Sequence, residues 1–106
     1  MDMDEKLFAQ RLAQLRAQKK VSAREMSLAI GQNPSYINRI ENGLCFPSMQ
    51  CFFYICDYLS ISPAEFFQFS LPDPGQFHAV VSDLKRLDVR QLEAVAAVVG
   101  ELARKG

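Results

Sequence analysis

Several things are scarce in this chain, and each scarcity removes a class of function. No apolar run approaches the ~20 residues needed to cross a bilayer. Histidine occurs once, at His78 beside Phe77, on a stretch that reads as a packing helix. There is no Ser/His/Asp set, no glycine-rich phosphate loop and no acidic pair suited to a cleft, so an enzyme is not expected. The three cysteines, Cys45, Cys51 and Cys56, are an odd number without C-x-x-C spacing and lie far from the lone histidine. Free thiols are expected, with redox sensing the lesser reading and no metal or cofactor. The N-terminus, Met-Asp-Met-Asp-Glu-Lys, lacks the basic-then-apolar order of a signal peptide, so a cytoplasmic location is expected.

Net charge is also missing: 12 basic side chains balance 12 acidic ones. The balance hides an asymmetry. Residues 6–43 carry seven basic side chains (Lys6, Arg11, Arg16, Lys19, Lys20, Arg24, Arg39) against Glu25 and Glu41, a net of +5. Residues 44–106 carry five basic and seven acidic side chains, a net of −2. A basic first half on a neutral chain suits a polyanion-binding face with a separate role behind it. With 49% hydrophobic and 23% charged residues, the 106-residue chain has the composition of a folded domain plus a small appendage.

Every segment reads as helix, without repeats. Phe8, Leu12 and Leu15 recur at helical spacing between about Asp4 and Lys19, with Arg11, Lys19 and Lys20 placed on the wet side. Ser22 and Glu25 form a capping box for a short second helix that stops at Gly31, with Met26, Ala29 and Ile30 expected in the core. Asn33-Pro34 opens a third helix, Asn as N-cap and Pro at its first position, carrying Tyr36, Ile37 and Ile40 and ending at Asn42-Gly43. Ser48 caps a fourth, with Met49, Phe52, Ile55, Cys56 and Leu59 inward. Ser62-Pro63-Ala64-Glu65 starts a fifth that includes Phe66 and Phe67. Gln68 to Gln76 reads as a linker. Beyond it, Asp73 to Gln76 caps a sixth helix, and Asp88 with Gln91 caps a seventh, the two joined as a tight hairpin. Their apolar stripes, including Phe77, Val81, Leu84, Leu92, Val95, Val99 and Leu102, are too large for two helices to bury alone, so they require a partner.

The segment Ser22 to Gly43, with its ending Ile40-Glu41-Asn42-Gly43, the following Pro47, and Leu59-x-Ile61-x-Pro63-x-x-Phe66-Phe67, resembles the Xre-type, lambda-repressor/Cro-like helix-turn-helix family over roughly residues 6–67. The resemblance implies an all-α five-helix DNA-binding domain over 4–67; a linker (68–76) and a C-terminal helical hairpin (77–106) follow from the residues beyond it. The resemblance also implies double-stranded DNA as partner, with the third helix in the major groove. On this basis Ser35, Tyr36, Asn38 and Arg39 meet bases, Arg39 suiting a bidentate guanine contact and Asn38 an adenine. Ser22, Ala23, Arg24, Gln32, Asn33 and Asn42 hold phosphates. Blander readings stand beside these: Ser22 and Asn33 as helix caps only, Tyr36 as partly packed, Arg39 as a solvated charge. The family's pairing of an arginine late in helix one with the glutamate before Asn-Gly falls on Arg16 and Glu41, a structural ion pair.

Two positions depart from the family pattern. Ala23 stands where Gln commonly meets a phosphate, and Leu44-Cys45-Phe46 replaces the usual basic loop. Weaker non-specific binding and a shallower salt dependence follow, each lost phosphate contact lowering the slope by about one. The reading is a homodimeric regulator of transcription, joined through the hairpin, on a near-palindromic operator, with no small-molecule ligand evident. The apolar loop supports a competing reading as an antitoxin-like or adaptor protein-interaction module.

Overall fold

The computed structural model describes residues 3–105 and is all-α, with no strand among them. Its helices are α1 (Glu5–Lys19), α2 (Ala23–Ala29), α3 (Tyr36–Glu41), α4 (Met49–Leu59), α5 (Pro63–Phe66), α6 (Pro74–Leu84) and α7 (Val89–Lys105). None is long and apolar enough to cross a membrane. The chain forms two compact units, one ending at Gly75 and one beginning at Gln76.

The first unit is built by short helices whose ends are closed locally. Asp4, Ser22, Ser48 and Ser62 each accept a backbone N–H from the first turn of the helix they precede, and Ser22 and Ser62 complete capping boxes with Glu25 and Glu65. The ends of α2 and α3 have the same device. Gly31 (φ +78°) and Gly43 (φ +75°) turn left-handed, and the next amides, of Gln32 and Leu44, bond back to Ser27 and Arg39. A side chain on Cβ would be strained at either glycine.

These helices enclose one core of Phe8, Leu12, Leu15, Met26, Ile30, Ile37, Ile40, Phe52, Ile55, Cys56, Leu59, Ile61 and Phe66. Phe66 packs between Phe8, in a tilted pair (ring centroids 4.8 Å), and Phe52, which it meets edge-on (5.1 Å). Two residues expected inside lie outside. Met49 is 69% exposed because it is the first residue of α4, beyond the reach of the core. Ala29 is exposed at the last turn of α2, where the burial passes to Ile30.

Arg11 corrects the sequence reading more deeply. Placed on the wet side of α1, it is 2% exposed. Its guanidinium donates to the carbonyls of Phe66 (2.5 Å), Glu65 (2.9 Å), Gln68 (3.1 Å) and Leu71 (3.2 Å), and to Gln14 Oε1 (2.9 Å). It also lies 5.5 Å from the Phe69 ring centroid. The Glu65 and Gln68 carbonyls also accept the Gln68 and Leu71 amides, so the guanidinium joins a turn that is already hydrogen-bonded. One cation therefore fastens residues 65–71 to the first helix. Burial lowers its pKa from the ordinary arginine value.

In the second unit, Asp88 and Gln91 form a reciprocal cap at the start of α7, Gln91 N to Asp88 Oδ1 at 2.8 Å and Asp88 N to Gln91 Oε1 at 3.1 Å. A short turn, Lys85–Asp88, separates α6 from α7, and beyond it the two helices share little packing. None of the described side chains from 76 to 104 is buried. The expected tight hairpin is tight at its turn only.

Candidate nucleic-acid interface

The angle between α2 and α3 is set from inside. Ser27, fully buried on α2, donates its hydroxyl to the Ala23 carbonyl (2.8 Å) and accepts the Ile37 amide of α3 (2.9 Å). Ser35, the N-cap residue of α3, makes no side-chain cap bond. The oxygen that normally comes from the cap residue is supplied from the preceding helix. No sequence pattern singles out Ser27, since its partners are backbone groups.

The entry to α3 differs from expectation. Asn33 was expected as N-cap with Pro34 at the first helical position, but α3 begins at Tyr36. The Asn33 carboxamide oxygen accepts instead from the Ser35 amide (3.1 Å) and hydroxyl (2.9 Å), a local turn that competes with helix propagation.

From there α3 divides by face. Ile37 and Ile40 are buried, while Ser35, Asn38, Arg39 and Asn42 are exposed. Their spacing (i, i+3, i+4, i+7) puts these four on one stripe of the helix. Tyr36 leans the other way. It is half-buried against the core, and its hydroxyl pKa is pushed up to about 12, first by burial, then by the Cys51 thiol, with the Ser48 backbone opposing. The ring thus braces the start of α4.

The residues named for phosphate surround this stripe unevenly. Ser22, Arg24, Asn33 and Asn42 are exposed, and Gln32 and Ala23 are half-buried, Ala23 against the core. Ser22 Oγ already accepts the Glu25 amide at 2.9 Å.

Behind the stripe, Arg16 of α1 holds Glu41, the last residue of α3. Nε and Nη2 meet the two carboxylate oxygens at 2.7 and 2.8 Å, and Nη1 donates to the Val21 carbonyl at 2.9 Å. The Glu41 hydrogen bond raises the Arg16 pKa. A bidentate, partly buried pair fixes orientation as well as distance. Ser27 at its start and Glu41 at its end thus fasten α3 to the scaffold. What this produces is a rigid rod with a polar stripe turned outward.

The same unit also carries exposed apolar side chains. Leu44, Phe46, Met49, Phe53 and Phe67 are all exposed. Phe46 meets Phe8 edge-on at 5.7 Å, and Phe67 lies 5.4 Å from Phe52, so the patch is the outer edge of the core's aromatic cluster. Cys51 and Cys56 are buried, and Cys45 is half-buried. Burial pushes the Cys56 thiol pKa up to about 12, far from the range of a reactive thiolate. No group of three metal-ligating side chains occurs among the described residues.

In the second unit, Val81, Leu84 and Val95 are half-buried, whereas Phe77, Leu92, Val99 and Leu102 are exposed. Residues 7–66 of the chain match the profile of a helix-turn-helix domain. No curated protein and no solved structure matches the chain.

Proposed function

We propose, from the premise that this chain belongs to the helix-turn-helix domain family, that it is a sequence-specific transcriptional regulator of Xre type, acting in the cytoplasm as a homodimeric repressor. A helix-turn-helix domain is a DNA-binding module, with its second helix as the reader of the major groove. The observation that carries the finer reading is the outward stripe of α3. Ser35, Asn38 and Arg39 offer a hydroxyl, a carboxamide and a guanidinium opposite buried Ile37 and Ile40. Those groups match the base-edge code, arginine to guanine and asparagine to adenine. Asn42, with Ser22, Arg24, Gln32, Asn33 and the Ala23 amide, would hold the phosphates on either side. Tyr36, half-buried, is left a thymine methyl or phosphate contact at its edge.

The second unit supports the dimeric reading. From Gln76 onward, α6 and α7 expose Phe77, Leu92, Val99 and Leu102 and bury none of their described side chains. A second copy covering them would join two DNA-binding units, as an operator with half-sites about 34 Å apart requires. Avidity would then recover the affinity lost at Ala23 and the Leu44-Cys45-Phe46 loop.

Selection of bound duplexes from a random pool with the full chain tests the reading. The expected product is a near-palindrome with half-sites one helical turn apart; a pool without an enriched motif would refute it. A second reading, a protein-interaction module of the antitoxin or adaptor kind, is favoured by one observation, the exposed patch of Leu44, Phe46, Met49, Phe53 and Phe67. It predicts the absence of a motif together with a stable protein complex through that patch.

A further inference from the structure

Away from the α3 stripe, a groove of about 540 Å³ runs between the end of α2 and the outer face of α4, lined by Ala29, Ile30, Gly31, Tyr54, Asp57 and Tyr58. Its volume falls in the range of small-molecule sites. Three features of its wall favour the same ligand chemistry. Asp57 is an exposed carboxylate at the groove edge. Tyr54 and Tyr58, one helical turn apart, offer the negative faces of two aromatic rings. The C-terminal end of α2, the negative end of its dipole, forms the opposite wall.

The structure also shows one of these rings holding a cation. The Lys19 ammonium lies 4.9 Å from the centroid of Tyr58. The Tyr54 hydroxyl accepts from Gln50 at 2.8 Å, which fixes the second ring beside it. Ala29 and Ile30 supply an apolar wall, and no atom lies within 4 Å of where a Cβ on Gly31 would sit, so the groove is open above the helix-turn-helix turn.

We propose that this groove binds a small organic cation, an ammonium or guanidinium group carried on an apolar body. The charged end lies between Asp57 and the Tyr54 ring, the Tyr58 ring already holding Lys19, and the apolar body lies against Ala29 and Ile30. The site is separate from the α3 stripe and does not depend on the DNA reading.

The test is an amide NMR titration of the full chain, without DNA, with phenethylammonium, and with the neutral 2-phenylethanol as its isostere. Saturable shifts centred on Gly31, Tyr54, Asp57 and Tyr58 are expected for the cation, with the alcohol about 10-fold weaker, the size of a single cation–π or charge contribution. Asp57→Asn, an exposed change, is expected to weaken the cation by a similar factor and leave the alcohol unmoved. Tyr54→Leu serves as the second variant, lowering affinity for the cation more than for the alcohol. Equal affinity for cation and alcohol, an unchanged Asp57→Asn titration, or shifts confined to other surfaces would each overturn the proposal.

Discussion

Phe66 and Leu102 occupy comparable places. Each is a large apolar side chain near the end of a helix, on the stripe that amphipathic spacing turns inward. Phe66 is fully buried among Phe8, Phe52 and Phe67, while Leu102 is 66% exposed. The unit around Phe66 is closed: Asp4, Ser22, Ser48 and Ser62 cap four of its helices, Ser27 supplies the acceptor at the start of α3, and its core is continuous. Among the described residues no side-chain polar atom is buried without a partner. The unit around Leu102 has good local structure, with its reciprocal Asp88–Gln91 cap, and no interior. Helix-forming signals and a core are thus different requirements, and the second unit meets only the first.

The largest expected effect sets the two residues directly against each other. Phe66→Ala is expected to lower the unfolding free energy by about 3–5 kcal/mol, as for buried aromatic truncation, in urea denaturation followed by far-UV circular dichroism. Leu102→Ala, in the same measurement at a protein concentration too low for association, is expected to stay within about 0.5 kcal/mol of the parent. A large loss for Leu102→Ala would mean that the second unit has a core of its own.

Arg11→Met sharpens the boundary of the closed unit. It keeps the stem and removes the donors to four carbonyls, for an expected loss of about 3 kcal/mol, and hydrogen exchange of the amides from 65 to 71 should accelerate more than that of the α4 amides. Uniform acceleration would contradict a local fastening role.

Ser27→Ala leaves the buried Ile37 amide without its acceptor, at an expected cost of about 1–2 kcal/mol. Ser22→Ala, a more exposed cap, is expected to cost about 1 kcal/mol. Denaturation of both variants would show Ser27 to be the ordinary residue of the two if their order reversed.

The smallest effect at neutral pH belongs to the buried titratable groups. A thiol or phenol whose folded pKa lies above its unfolded value holds its proton more tightly in the folded chain. Its contribution is intact below the unfolded value and is lost as pH rises through the folded one. Cys56 moves from 9.0 to about 12 and Tyr36 from 10.0 to about 12, so stability is expected to hold to about pH 9 and decline above it. Urea midpoints at increasing pH should fall less steeply for Cys56→Ala and Tyr36→Phe. Unchanged slopes would place both groups in water.

What the sequence made legible is what neighbours along the chain decide. Ser22 with Glu25, Ser62 with Glu65, and Asp88 with Gln91 are caps spaced three residues apart, and the periodicity of α1 and α4 names most of the core. What it hid involves backbone partners or competition between local patterns. Arg11 lies at i+3 from Phe8 and i−4 from Leu15, within the buried stripe, but its charge argued for water and its carbonyl partners lie more than fifty residues away. Ser27 was hidden for the same reason, its partner across the turn being an amide. At Asn33 two readings of one side chain compete, N-cap and local turn, and the turn prevails. In α3 the stripe of Ser35, Asn38, Arg39 and Asn42 follows from spacing alone, whereas the inward lean of Tyr36 depends on where α4 starts.

The central claim is that α3 reads bases with one stripe while its other face is scaffold. Fluorescence anisotropy on the selected duplex and on single-base variants, across salt concentrations, tests it most directly with Arg39→Ala. The expected result is a loss of about 1–3 kcal/mol confined to the duplexes that keep the guanine it contacts, with discrimination at that position relaxed. An equal loss on every duplex, with the salt slope reduced by about one, would make Arg39 a phosphate contact and contradict the account.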